Sequence, residues 1–177
     1  MLSRRPGMIA PAMRLILFPL LLATPAFAGE AELADIATDL GLKAEQGGYA
    51  AGIATCLLGK GDAMATQNRF AAAGWTVEAD EEEGLVYLAA PTGDFGGMMA
   101  GDGSFCEIAS ESIGTDPVMD AVVPVLMATS PAAATVTNDS GCTAFVPLPG
   151  VQVDVLSTGQ DPSCSSPDTS AVRVNFR

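Results

Sequence analysis

The residues of this chain that could do chemistry are almost all carboxylates. The stretch "EADEEEGLVYL" places Glu78, Asp80, Glu81, Glu82 and Glu83 within six positions before the chain turns apolar. Further along, Glu107 and Glu111 follow a glycine-rich segment that carries Asp94 and Asp102. Two carboxyl groups facing each other across a cleft, one with a raised pKa, are what hydrolysis of a glycosidic bond requires. Glu107 or Glu111 set against Asp94 or Asp102 is therefore the candidate catalytic pairing. The acids of 78–83 read differently. Consecutive residues in a turn or strand point apart, a D-x-D-x-D-G calcium loop is absent, and Gly84 can supply the positive φ of a bend, so a solvated hairpin turn is the preferred reading.

Other chemistries fail on composition or spacing. The chain has no histidine, which removes Ser–His–Asp and Cys–His catalysis and most zinc and copper sites. "CLLGKG" has Ala54 and Gly61 where a phosphate-binding loop needs glycine and a hydroxyl residue. "GDGS" around Ser104 lacks the spacing of a nucleophile elbow. A Ser–Lys arrangement using Lys60 lacks an S-x-x-K motif, and both Lys43 and Lys60 read better as solvated helix ends. Met98 and Met99 near Cys106 would suit a soft metal only with histidine or a methionine repeat, so packing is the preferred role. No cofactor motif or metal site is expected.

The four cysteines, Cys56, Cys106, Cys142 and Cys164, contain no C-x-x-C pair. In an exported chain an even count reads as two disulfides with three conceivable pairings, of which Cys56–Cys106 and Cys142–Cys164 are preferred.

Export is written into the N-terminus. Arg4, Arg5 and Arg14 flank a short apolar run, "LILFPLLLATP", and "AFA" offers small residues for cleavage before Gly29. This is the pattern of a secretory signal peptide over residues 1–28; the apolar run is too short for a membrane span. No cysteine follows it to carry a lipid, and the twin arginines lack the remaining twin-arginine pattern. Cleavage leaves 149 of the 177 residues, the size of one domain, 29–177. Three of the eight basic residues precede Gly29 and none of the 21 acidic ones do, so the remainder carries a net charge of −16. That excludes nucleic-acid binding and adhesion to anionic lipid, and it favours solubility or a cationic protein partner.

These residues must be positioned by alternating helical and strand segments. "EAELADIATDLGL" and "GYAAGIATCLLG" show helical spacing and end at glycine. Asp62 reads as the N-cap of "AMATQNRFAAAG", with Gly74 at its end and Trp75 folding back over the last turn; Gly59-Lys60-Gly61 would close a helical hairpin. From Trp75 the period becomes two: "WTVEA" and "LVYLA" form a hairpin, "PTGDFGGMMAGDG" is a mobile loop or a glycine-broken strand, and "SFCEIASES" carries Cys106 and Ile108 on one face. "GTDPVMDAVVPVLMATSP" is a helix capped by Thr115 or Asp116, with Val118, Ala121, Val122 and Val125 as its stripe and a kink or early end at Pro124. "ATVT", "CTAFVPL", "VQVDVLS" and "AVRVNFR" are strands, with the linker "TGQDPSCSSPDTS" pinned by Cys164. Residues 62–110 and 116–157 both read as αβββ, so an internal duplication is one reading of the order.

The fold expected is α+β: an antiparallel sheet with helices packed on one face, an N-terminal helical hairpin and disulfide bracing. The function expected is a non-catalytic binding or accessory module of the cell envelope, monomeric, in the periplasm or outside the cell. The alternatives are a carboxylate-dependent hydrolase of an envelope polymer and a subunit of an envelope assembly that uses the aromatic and methionine residues of 95–105 as its contact surface.

Overall fold

The computed structural model describes residues 28–41, 45–93, 95–159 and 162–177. The proposed signal segment before Ala28, Lys43 and Asp94 lie outside the described residues. Helix α1 (Ala28–Ala37) runs into a 3-10 turn (Thr38–Gly41), followed by α2 (Glu45–Gly59) and α3 (Ala63–Ala72). Strands β1 (Thr76–Asp80), β2 (Leu85–Ala89), β3 (Gly96–Ala100) and β4 (Phe105–Ser110) precede α4 (Thr115–Thr129). The chain closes with β5 (Ala134–Thr137), β6 (Thr143–Leu148), β7 (Val151–Leu156) and β8 (Ser170–Phe176). The fold is α+β, with eight antiparallel strands in the order β1-β2-β3-β4-β8-β7-β6-β5.

That order reads the same from either edge. Each half is a helix followed by a four-stranded meander, and the two meanders meet through β4 and β8. The repeating unit thus carries one strand more than the αβββ order legible in the sequence. The glycine-rich segment supplies β3, whose Gly97 lies so close to the carbonyl of Glu107 that a Cβ there would overlap it. The C-terminal strand supplies the fourth member of the second unit.

Local chemistry accounts for the boundaries. The Asp62 carboxylate accepts the amide of Ala65 at 2.9 Å at the start of α3. At its end the amide of Gly74 (φ +85°) donates to the Ala71 carbonyl and that of Trp75 to the Phe70 carbonyl, a Schellman closure. Trp75 then stacks edge-on against Phe70, with ring centroids 4.9 Å apart, and its indole N–H donates to the Leu40 carbonyl. Helix α4 departs from the expected cap. Gly114 is the N-cap without a side-chain bond, because the Thr115 hydroxyl is engaged with the backbone of Ser166 and so pins the linker before β8. The helix also continues past Pro124 to Thr129.

The helices cover one face of the sheet. That face presents Val86, Leu88, Met99, Ile108, Val153, Val155, Val172 and Val174, all buried. α2 lies over the β4–β8 seam: Gly52 sits against Ile108 so closely that a Cβ would come within 2.9 Å of its side chain. The buried Tyr49 hydroxyl lies between the carbonyls of Ile108 (2.8 Å) and Ser170 (3.1 Å), donating across both strands of the seam. Two disulfides brace this arrangement. Cys56–Cys106 ties α2 to β4 inside the core, and Cys142–Cys164 ties the start of β6 to the linker. Among the described residues no helix is long and apolar enough to cross a membrane.

Candidate functional site

The face of the sheet opposite the helices carries a polar row. Pairing of β4 with β8 and of β8 with β7 sets Glu107 opposite Arg173 and Arg173 opposite Asp154. The Arg173 guanidinium contacts Glu107 Oε2 through Nε and Nη2, each at 2.7 Å, and lies 4.8 Å over the Phe105 ring. Among the described residues Asp154 makes no ion pair; its carboxylate is held by three side-chain amides. Asn138 and Gln152 donate to Oδ1 at 3.0 and 2.9 Å, and Asn175 donates to Oδ2 at 2.7 Å. Glu107 and Asp154 are only 7% and 6% exposed, so both charges need these partners. Among the described residues every buried side-chain polar atom has one.

The candidate catalytic carboxylates that the structure describes, Asp102, Glu107 and Glu111, are spread along β4 and the turns at its two ends. Asp102 lies in the β3–β4 turn and Glu111 in the bend after β4, at opposite ends of that strand. The amide of Ser104 donates to Asp102 at 2.9 Å; that bond, joined by the Ser104 hydroxyl, holds the Asp102 carboxyl below its ordinary range. Glu107 and Glu111 do line one recess of about 510 Å³ beside Phe95, Gly96 and Met98. The Glu107 carboxylate is nevertheless committed to Arg173 on the far side of β4, and Glu111 is exposed.

The other sequence candidates are equally dispersed. Met98 and Met99 are neighbours on β3 and alternate faces: Met99 is buried opposite Cys106, whereas Met98 stands beside Glu107. Of the aromatic and methionine residues of 95–105, Phe95 and Met99 are core residues and Met98 and Phe105 are half-buried. The Lys60 ammonium pairs with Glu30 at 3.0 Å while the Ser104 hydroxyl engages Asp102, and no Ser–Lys pair forms among the described residues. Among the described residues no three potential ligands converge on a metal position.

The acidic run of 78–83 spans the end of β1 and the β1–β2 hairpin turn. Asp80 caps it by accepting the amides of Glu82 and Glu83 at 2.9 and 3.0 Å, and Gly84 (φ +67°) completes the bend. Tyr87 donates to Glu83 at 2.6 Å, a bond that raises the phenol pKa. Glu78, Glu81, Glu82 and Glu83 all face solvent, and no basic residue lies between Thr76 and Ala89.

One feature escaped the sequence reading. An apolar cavity of about 250 Å³ opens where α1, the C-terminal end of α2, the β6–β7 hairpin and the end of β8 meet. Leu33, Leu57, Leu58, Leu148, Val151 and Phe176 form its walls, and Lys60 and Glu30 stand in its lining with their ion pair exposed to solvent. A register shift in β6 between Phe145 and Leu148 brings Leu148 opposite Val151 and so into this lining. The only sequence trace of the cavity is a lysine between two glycines.

No known family model matches the chain, and comparisons with curated proteins and with solved structures return no match.

Proposed function

We infer that this chain is an exported, disulfide-braced binding module of the cell envelope, working in the periplasm or outside the cell. The residues before Gly29 have the makeup of a cleavable leader. All four cysteines engaged in disulfides suit an oxidising compartment.

The observation that carries the reading is the state of the carboxylates. Those on the sheet face are satisfied by an arginine and by amides rather than set against each other, while those of the β1–β2 hairpin are exposed and make no ion pair among the described residues. A satisfied network favours rigidity over proton transfer, and an uncompensated acidic edge favours a cationic protein partner. Binding through such an edge weakens as salt screens it.

Immobilised protein exposed to the envelope fraction in about 20 mM salt should therefore retain a basic protein and release it near about 0.3 M. Replacing Glu81, Glu82 and Glu83 together with Gln should reduce that retention. Retention that persists at high salt, or is unchanged in the variant, would contradict the reading.

A second reading, an assembly subunit, is favoured by α4. Val123 and Met127, four residues apart, are 46% and 52% exposed, an apolar strip on the outer side of that helix. Self-association that a Met127→Glu substitution abolishes would support it.

A further inference from the structure

We propose that the apolar cavity beside Lys60 binds a small amphiphile with one anionic headgroup, of the medium-chain carboxylate class, its apolar body inside and its head on the Lys60 ammonium.

Three independent observations lead there. The first is the cavity itself. Its walls are mainly aliphatic and aromatic, drawn from α1, α2, the end of α4, the β6–β7 hairpin and β8, and its volume is about 250 Å³. Apolar cavities of about 150 Å³ already accept benzene, so this one suits a longer apolar body. Besides Lys60 and Glu30, the only polar side chain in the lining is Thr129, whose hydroxyl donates to the Val125 carbonyl.

The second is the placement of the cation. Lys60 is the one positive side chain in the lining, in a protein with five basic residues after position 28. Its partner Glu30 is also at the mouth, and the two side chains are 64% and 48% exposed. A pair that wet holds little net energy, so an incoming anion can exchange for Glu30 at small cost. The apolar body supplies the affinity and Lys60 the orientation.

The third is the backbone that carries Lys60. Among the described residues it is the only non-glycine with positive φ, at 53°. Lysine gains nothing from that conformation, which glycine or asparagine adopts more readily. The turn is also clamped on both sides. A Cβ on Gly59 would overlap the Thr66 hydroxyl, and a Cβ on Gly103 would overlap the carbonyl of Gly61. These close approaches tie the α2–α3 turn to α3 and to the β3–β4 turn and fix where the lysine stem leaves the backbone. A strained residue held by an over-determined turn is where function is to be sought.

The proposal is independent of the acidic hairpin, which lies on a different part of the chain, so either reading can fail without the other. The test is isothermal titration calorimetry of the purified protein with octanoate and, separately, with octan-1-ol, which shares the apolar body but lacks the charge. Octanoate should bind at least about tenfold more tightly than octan-1-ol. Lys60→Asn keeps a residue that tolerates positive φ and should weaken octanoate about tenfold while leaving octan-1-ol within about twofold. Lys60→Gly, the conformationally safest replacement, should do the same. Glu30→Gln removes the competing carboxylate and should tighten octanoate severalfold. Leu148→Trp, at the half-buried wall, should abolish both heats while circular dichroism stays unchanged. No heat with either probe overturns the proposal, as does an equal loss of both probes in the Lys60 variants or octanoate binding that survives Leu148→Trp. A dimer in the native mass that Leu148→Trp dissociates, without ligand heat, would assign the cavity to a second copy of the chain and also overturn it.

Discussion

The two faces of the sheet are built from the same strands and obey different rules. Along β4, Cys106 and Ile108 point to the helices, whereas Phe105 and Glu107 point away; along β8, Val172 and Val174 alternate with Arg173 and Asn175. The covered face is held by area removed from water, by the Cys56–Cys106 bridge and by one tyrosine across the seam. The open face is held by complementary bonds: one arginine between two carboxylates, and three amides on the carboxylate it leaves unpaired. Apolar contact tolerates small shifts, but directed bonds do not. The covered face thus supplies most of the stability, while the open face favours one strand register over its neighbours, since a one-residue slip would place Arg173 among valines.

The difference can be broken most forcibly on the covered side. Ile108→Ala opens a cavity under α2 at the seam and should cost about 3 kcal/mol, read as a lower urea midpoint at unchanged slope. On the open side, Asp154→Ala leaves three amides without their acceptor and should cost about 2 kcal/mol. If Asp154→Ala proved the more damaging of the two, the division of labour between the faces would be reversed.

Tyr49→Phe sharpens the comparison through pH. Burial pushes the Tyr49 phenol well above its ordinary value of 10.0. Above that pH the unfolded chain releases the proton while the folded chain still holds it, so the stability associated with the neutral phenol is present below pH 10 and is lost as pH rises beyond it. At neutral pH the variant should be less stable by about 1 kcal/mol for the lost hydrogen bond, and its alkaline decline should be shallower than in the parent. Tyr87, the only other tyrosine, is exposed and bonded to Glu83, so Tyr87→Phe serves as the control. Equal alkaline declines in parent and Tyr49→Phe would mean that the seam tyrosine is not sealed from water.

Glu107→Gln should have the smallest effect of these, within about 1 kcal/mol, because the guanidinium it leaves is 41% exposed and keeps the Phe105 ring. Its effect should shrink further in high salt, in contrast to that of Ile108→Ala.

Much of the covered face was legible in the sequence, because its signals are local. Asp62, Gly74 and Trp75 announce both ends of α3, Val118, Ala121, Val122 and Val125 announce the buried stripe of α4, and the alternation in 171–176 announces β8. Local signals also misled. Gly96 and Gly97 left β3 readable either as a loop or as a glycine-broken strand, since nothing nearby reveals that a neighbouring backbone requires the missing Cβ. Thr115 looked like a cap until its hydroxyl found Ser166, 51 residues away. The open-face row was not legible, because residues 107, 154, 173 and 175 are brought together only by the order β4-β8-β7. The cavity is more remote still, assembled from the ends of elements and a bulge in β6.

The central claim, an exported and disulfide-braced binding module, is tested most directly by mass. Protein recovered from its own envelope fraction is measured by native mass spectrometry, with a denatured, non-reduced sample beside it. The expected denatured mass equals residues 29–177 less four hydrogens, for a cleaved leader and two disulfides, and the native mass should gain a partner at low salt and lose it as salt rises. A denatured mass of the whole 177-residue chain with four free thiols would contradict it.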